Sequence, residues 1–183
     1  MEGQAFTLHA GDFYHSDYEI KLPGEHQIKN TSVAIVAAKL VSKQDDRINE
    51  LALHVGVANT VWPGRLERIH KNPDIILDGA HNPDGAKALR NALDKYYPGK
   101  QVQFVFGMMG DKDMSGVIKT LINQDDVVYT VRADEGARAA EAADLAKLVG
   151  SNAVAEANLA TAYDAAIRGA GTDGVVCVCG SLY

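Results

Sequence analysis

Two hydrophobic periodicities alternate along most of the chain, and short turn-rich segments separate them. Continuous apolar runs and runs with a period of two predict strands, whereas apolar residues every three or four positions predict helices. From about residue 64 onward strands and helices take turns, which is typical of a parallel sheet with helices on its faces. We therefore predict an α/β fold, with a doubly wound, mostly parallel, Rossmann-like sheet flanked by helices.

The second part of the chain contains the predicted sheet. Its predicted strands are residues 66–70, 74–77, 101–107, 126–132 and 174–183. Its predicted helices are residues 83–97, 114–122, 137–150 and 159–170. Ligands of such sheets bind beyond the carboxyl ends of the strands, so we expect a site among the loops that follow them. Those segments read "LDGAHNPDG", "VFGMMGDKD", "VRADEG" and "CGSLY".

The first 45 residues follow a different pattern. Residues 3–22 predict two short strands around the turn-rich "HAGDFYHSD", and "LPGEHQIKN" opens a helix that should end near Lys43. The apolar face of that helix comprises Val33, Ile35, Val36, Ala37, Leu40 and Val41. The charged "SKQDD" predicts a domain boundary, with a β-β-α stub at 1–45 and a second domain at 46–183. A helix over about residues 46–56, ended by Gly56, would open the second domain.

Composition narrows the class of protein. The 183 residues carry a formal net charge of −6 and no long basic run, which argues against nucleic acid or an anionic membrane surface as the main partner. No apolar stretch approaches the roughly 20 residues that a membrane span needs. Cys177 and Cys179 lie two apart in an apolar strand, so we expect buried, reduced thiols. A reducing cytoplasm is the location that fits best.

The segment "IILDGAHNPDGAKAL" at residues 75–89 carries the first candidate chemistry. Asp78 ends an apolar strand, where an acid can accept a ribose hydroxyl group. Asn82 and Pro83 suit the start of a helix, and the positive end of that helix would favour a carboxylate or phosphate beside His81. The alternative is that these residues only shape a turn and cap a helix, with His81 at the surface.

Two other positions point toward a nucleotide. Arg65 follows a stiff Pro-Gly turn, and a guanidinium group pairs well with phosphate oxygens, but taken alone this Arg fits a solvated salt bridge better. Asn30 lies one helical turn from His26 and Gln27, and its amide has the donor and acceptor that an adenine edge requires. An interdomain hydrogen bond is the alternative for Asn30.

Taken together, five motifs resemble the folylpolyglutamate synthases, which are often bifunctional with dihydrofolate synthase, within the muramyl-ligase superfamily. The motifs are "LPGEHQIKN", "WPGRLE", "ILDGAHNPDGA", "VFGMMGDKD" and "CGSLY". The resemblance implies an enzyme that phosphorylates a folate carboxylate with ATP, after which the amine of L-glutamate attacks the acyl phosphate. Carried over by motif, the implied ATP contacts are Asn30 to adenine, Arg65 to phosphate and Asp78 to ribose. The implied glutamate contacts are His81 and Ser181, and no role is implied for Asp111, Lys112 or Asp113.

The chain also departs from the pattern of that family. No G-x-x-x-x-G-K-[ST] phosphate loop occurs, so we expect residues 1–45 to be the end of a central ATPase domain. The Mg²⁺ ligands and the pocket for folate or dihydropteroate would then lie in an amino-terminal domain outside this chain. We assign no catalytic residue and no metal ligand here, and expect a monomeric chain that is inactive alone. The alternatives are a free-standing module that binds a nucleotide or amino acid, and a related ligase with a non-folate acceptor.

Overall fold

The computed structural model describes residues 3–11 and 14–181, which form two compact units. The first unit ends at Trp62 and the second begins at Pro63. The elements of the first unit are β1 (Gln4–Ala10), β2 (Tyr14–Ile20), α1 (Glu25–Val41) and α2 (Glu50–Asn59). Those of the second are β3 (Glu67–His70), β4 (Asp74–Asp78), α3 (Pro83–Tyr96), β5 (Val102–Gly107), α4 (Met114–Leu121), β6 (Val127–Thr130), α5 (Ala142–Val149), β7 (Ala153–Ala155), α6 (Leu159–Ala170) and β8 (Val175–Gly180).

The first unit is an antiparallel hairpin with two helices. The strands β1 and β2 pair along their whole length, and Leu8, Tyr18, Ile35 and Leu53 share one core. Leu53 belongs to α2, so the division between compact units falls after this helix. The domains 1–45 and 46–183 stay a prediction, and the compact units differ from them. A charged turn such as "SKQDD" indicates exposure but does not determine against which side the next helix packs.

Both helices of the first unit differ in detail from the sequence prediction. On α1, Ile35 is buried, but Val33 is 71% exposed and Leu40 is 53% exposed. The second helix begins at Glu50 because the side chain of Asn49 accepts the N–H of Ala52 at 2.9 Å. It continues through Gly56 to Asn59, so the predicted stop at Gly56 was wrong. Glycine lowers helix stability but does not end a helix whose other positions are favourable.

The second unit contains a six-stranded sheet in the order β3-β4-β8-β5-β6-β7. The pair β3 and β4 is antiparallel and the other neighbours are parallel, which confirms the predicted α/β sheet. Every residue of the central strand β5 is buried. Alternate side chains of a strand point to opposite faces. On one face Val105 packs against Ala162 and Ala166 of α6. The carboxyl ends of β4, β8, β5 and β6 therefore lie at one edge of the sheet.

One predicted helix is shorter than expected, and one short strand, β7, was not predicted. The alanine-rich segment 137–150 becomes helical only from Ala142. Before that, the chain pairs with the loop after β5: Gly110 donates its N–H to the carbonyl of Arg138 at 2.7 Å, and Ala140 donates to Met108 at 2.9 Å. These bonds hold residues 138–140 outside the helix, although their helix propensity is high.

The two cysteines are free and buried in β8, as predicted. A hydrogen bond with Cys179, together with burial, raises the pKa of the Cys177 thiol. None of the helices in the part of the chain that the structure describes is long and apolar enough to cross a membrane.

Candidate functional site

Asp78, the last residue of β4, connects two loops at the carboxyl edge of the sheet. It is only 6% exposed, and both of its carboxylate oxygens accept backbone hydrogen bonds. Oδ2 accepts the N–H of Leu66 at 2.8 Å, and Oδ1 accepts the N–H of Ala80 at 2.9 Å. Asp78 thus fixes the turn before β3 to the loop after β4.

The turn before β3 has an unusual backbone that its hydrogen bonds stabilise. Gly64 has a φ of 68° and Leu66 has a φ of 47°, a region that is costly for leucine. Gly64 accepts the N–H of Gly79 at 2.9 Å and donates its own N–H to Glu67 Oε2 at 2.8 Å. The turn is therefore held at both ends, and Arg65 lies between them.

Arg65 is half-buried, and it has no hydrogen bond or ion pair with any residue of 3–11 or 14–181. A guanidinium group on a fixed turn, without an ion-pair partner among the described residues, suits an anionic ligand such as a phosphate. The phosphate contact of Arg65, which the sequence predicted from this turn together with the other family motifs, stays a prediction.

Asn30 lies in the first unit, on an exposed part of α1. Its amide nitrogen donates to Gln27 Oε1 at 3.2 Å, and Gln27 itself is buried. The i, i+3 spacing of Gln27 and Asn30 therefore lets the two amides bond to each other, and the adenine contact of Asn30 stays a prediction.

The amino end of α3 offers fewer hydrogen-bond donors than the sequence suggested. Asn82 caps the helix as predicted, and its Oδ1 accepts the N–H of Gly85 at 2.8 Å. Pro83 has no N–H to offer, and Asp84 places a negative charge in the first turn. This helix end is therefore a weaker site for a carboxylate or phosphate than we expected.

The ring of His81 is oriented by its own loop. Nδ1 lies 2.8 Å from the carbonyl oxygen of Gly79. A carbonyl oxygen can only accept, so Nδ1 carries the hydrogen of this bond. The other nitrogen, Nε2, makes no hydrogen bond with any residue in the described part of the chain.

A cavity of about 450 Å³ opens at the same edge of the sheet. Its lining comes from the loops after β4, β5, β6 and β8. The lining residues are His81, Met109, Lys112, Asp134, Arg138 and Ser181. The structure therefore brings together His81 and Ser181, the two residues for which the family resemblance implied a contact with L-glutamate.

The backbone at Gly180 determines where Ser181 lies. Gly180 has a φ of 112°, and a side chain at this position would collide with the carbonyl of Gly107 in β5. Only glycine tolerates both conditions. The chain can consequently leave β8 beside the end of β5 and place Ser181 in the lining of the cavity.

The loop after β5 contains Asp111, Lys112 and Asp113, the three residues for which the family resemblance implied no role. Asp111 accepts a hydrogen bond from Arg138 at 2.7 Å, and this bond lowers the pKa of the Asp111 carboxyl. Asp113 caps α4 by accepting the N–H of Gly116 at 2.9 Å. Lys112, between them, lines the cavity.

The segments that form this site also match a known protein family. The family model for the glutamate ligase domain of the Mur ligases matches residues 64–182. This chain belongs to the Mur ligase family. The match covers the whole described sheet of the second unit, including every loop that lines the cavity.

Individual relatives refine the placement within the Mur ligases. The chain is 36% identical over 130 residues to folylpolyglutamate synthase from Lacticaseibacillus casei, which spans 70% of this chain and 30% of that protein. It is 32% identical over 154 residues to dihydrofolate synthase/folylpolyglutamate synthase from Escherichia coli. This alignment covers 84% of this chain and 35% of that protein. The chain thus spans about a third of the length of these curated relatives.

Two solved structures are similar to this Mur ligase chain. Mycobacterium tuberculosis folylpolyglutamate synthase complexed with ADP gives a TM-score of 0.78 at 29% identity, over 91% of this chain and 40% of that one. A bifunctional folylpolyglutamate synthase/dihydrofolate synthase with Mn, AMPPNP and L-glutamate bound gives a TM-score of 0.67 at 37% identity. This similarity covers 73% of this chain and 32% of that one. The resemblance that the five sequence motifs indicated is confirmed.

Sequence reasoning missed Met109, Asp134 and Arg138 in the lining of the cavity. Asp134 lies in "VRADEG", which follows a predicted strand, and this position was the available signal. Arg138 lay within a predicted helix, and only its pairing with the loop after β5 places it at the cavity. The described residues include no group of three or more His, Cys, Asp or Glu that could hold a metal ion.

Proposed function

We propose that this chain is the carboxy-terminal part of an ATP-dependent ligase that adds L-glutamate to a folate through an acyl phosphate. The observation that carries the proposal is the cavity that gathers His81 and Ser181 with two cationic side chains. L-Glutamate has two carboxylates and one ammonium group. Lys112 and Arg138 provide N–H donors for the two carboxylates, Arg138 in addition to its ion pair with Asp111, and the remaining polar groups can serve the nitrogen. The names of the relatives favour a folate acceptor over a non-folate one.

For ATP, the proposal assigns the phosphates to Arg65, the ribose to Asp78 and the adenine to Asn30. The unpaired guanidinium of Arg65 supports the first assignment. The position of Asp78 at the carboxyl end of β4, where an acid can accept a ribose hydroxyl group, supports the second assignment. Asp78 also has a second effect on ATP, because its bond to Leu66 positions the turn that carries Arg65.

The remaining parts of the reaction are proposed to lie elsewhere. The described residues include no group of three or more His, Cys, Asp or Glu that could hold a metal ion, and we propose, as the family resemblance implies, that the Mg²⁺ ligands and the pocket for the folate or dihydropteroate lie outside this chain. We propose a monomer in the cytoplasm, where its two thiols would stay reduced.

The test compares the complete natural protein with this chain alone. Each is incubated with ATP, Mg²⁺, a reduced folate and L-glutamate, and release of ADP is measured. We expect glutamate-dependent ADP release from the complete protein and none from the chain, because phosphoryl transfer requires a positioned metal ion and phosphate donors. Turnover by the chain at roughly 1–10³ s⁻¹ would contradict the proposal.

Two variants of the complete protein test the phosphate contact. Arg65→Met should lower kcat/KM for ATP by about 10- to 150-fold, which corresponds to the loss of about 1.5–3 kcal/mol from one charged hydrogen bond. Arg168→Met is the matched control, because Arg168 is exposed on α6, and it should leave this value unchanged. Equal effects of both substitutions would remove Arg65 from the ATP site.

A further inference from the structure

We infer that His81 accepts a proton from the amino group of the incoming L-glutamate, and that Lys112 and Arg138 hold its carboxylates. This inference rests on the proposed function and specifies which end of the amino acid each side of the cavity recognises. It replaces the expectation that His81 shares a carboxylate with the amino end of α3.

The first argument is the tautomer of His81. Because the Gly79 carbonyl fixes the hydrogen on Nδ1, the neutral ring presents a lone pair at Nε2. A lone pair accepts a hydrogen bond from an ammonium group and has nothing to donate to a carboxylate. Nε2 has no partner among the described residues, and His81 lines the cavity.

The second argument is the distribution of charge in the cavity. Lys112 and Arg138 are donors without acceptor capacity, so they suit carboxylates and cannot receive a proton from an amine. Arg138 is oriented by its 2.7 Å bond to Asp111. The amino end of α3 provides few donors, since Asn82 already occupies the N–H of Gly85.

The third argument is the order of the strands. The cavity extends from β4 through β8 and β5 to β6, a distance of about 14 Å at the usual strand spacing. His81 lies in the loop that follows Asp78, the last residue of β4, and this loop is bonded to the turn of Arg65, whereas Arg138 follows β6. The amine must reach the acyl phosphate, which forms where ATP is bound. The nucleotide side of the cavity is the β4 side, so the amine belongs beside His81.

Asp134 is the other acceptor in the lining, but it suits this step less well. It already accepts the N–H of Gly136, and a carboxylate is a weaker base than an imidazole. Proton transfer from an ammonium group therefore favours His81.

The reaction step balances as follows. Nε2 takes one proton from the ammonium group, and the nitrogen lone pair then attacks the carbonyl carbon of the acyl phosphate. The C–N bond forms and the C–O bond to phosphorus breaks, with its electron pair leaving on inorganic phosphate. The nitrogen loses its second proton to the departing phosphate, and His81 returns its proton to water.

The test uses glutarate, which has both carboxylates of glutamate but no amino group. In the complete protein, the KM for L-glutamate, the kcat and the inhibition constant of glutarate against glutamate are measured. His81→Asn is the informative variant, because its amide N–H can still donate to the Gly79 carbonyl while Nε2 is lost. We expect it to lower kcat/KM for glutamate by about a hundred-fold, with the inhibition constant of glutarate unchanged within about two-fold.

Arg138→Met provides the opposite pattern. It should raise the KM for glutamate and the inhibition constant of glutarate by the same factor. The inference is overturned if His81→Asn raises the inhibition constant of glutarate by the same factor by which it lowers kcat/KM for glutamate. It is also overturned if the loss in kcat occurs in Asp134→Asn and not in His81→Asn, or if glutarate does not inhibit the wild-type protein. A wild-type protein without glutamate-dependent ADP release is a different outcome, which contradicts the proposed function itself.

Discussion

Substituting Asp78 tests how the loops of the candidate site are held together. In Asp78→Ala, the N–H groups of Leu66 and Ala80 lose their acceptors while they stay buried. Each such loss costs about 1–3 kcal/mol, and removing the carboxylate recovers some of its own desolvation cost. We therefore expect the free energy of unfolding of the second unit to fall by about 3 kcal/mol. Asp78→Asn should lose less, because its amide oxygen can still accept one of the two hydrogen bonds.

The assay is urea denaturation followed by circular dichroism, combined with amide hydrogen exchange. The amides of Leu66 and Ala80 should lose protection in Asp78→Ala more strongly than the amides of β5, because the substitution acts on the loops first. Asp84→Asn is the control, since Asp84 is exposed near the same loop, and it should change the stability by less than about 1 kcal/mol.

One result would refute this reasoning. If Asp78→Ala unfolds within about 0.5 kcal/mol of the wild type and both amides remain protected, Asp78 does not hold the loops. A loss of ATP use in that stable variant would then have to come from a ribose contact alone.

Three further predictions concern stability and reactivity. Arg90→Met should lower the free energy of unfolding by about 3–5 kcal/mol, because it removes the 3.0 Å ion pair of Asp126 and leaves that carboxylate as an unpaired buried charge. Urea denaturation measures this loss, and an unchanged urea midpoint would contradict it. Cys177 and Cys179 should react with a thiol reagent only after unfolding, since both are buried and the pKa of Cys177 is raised; rapid reaction of the native protein would show that β8 opens. Hydrogen bonds from a tyrosine and a lysine lower the pKa of the Glu50 carboxyl below its ordinary value of 4.5. The ionised carboxylate therefore stabilises the folded state above that pH, and this stabilisation is lost as the pH falls and the carboxylate is protonated. Glu50→Gln should therefore flatten the acid side of the stability curve, and an unchanged curve would exclude this contribution.

The sequence by itself determined the class of the fold and the loops in which candidate residues were sought. Strand and helix periodicities depend only on residues that are close in the sequence. The same is true of the helix cap at Asn82 and the turn at Gly64. Such features can therefore be recognised without knowledge of any distant contact. Parallel topology follows from the alternation of elements, and it places the loops after the strands at one edge. This is why Asp78 and His81 could be selected as candidates from their positions at the end of a strand, whereas Ser181 was selected from the family resemblance of the terminal motif.

Only the tertiary structure decided what these residues contact. Asp78 accepts the N–H of a residue 12 positions earlier, and no local pattern indicates that bond. Arg138 reaches the cavity because residues 138–140 pair with a loop some 30 positions earlier, which prevents the helix that their composition favours. The hydrogen on His81 Nδ1 is fixed by a backbone carbonyl, so the proton-accepting nitrogen is known only once the loop is folded. Periodicity reports which face of an element is buried, whereas a binding site depends on hydrogen bonds between segments that are distant in the sequence.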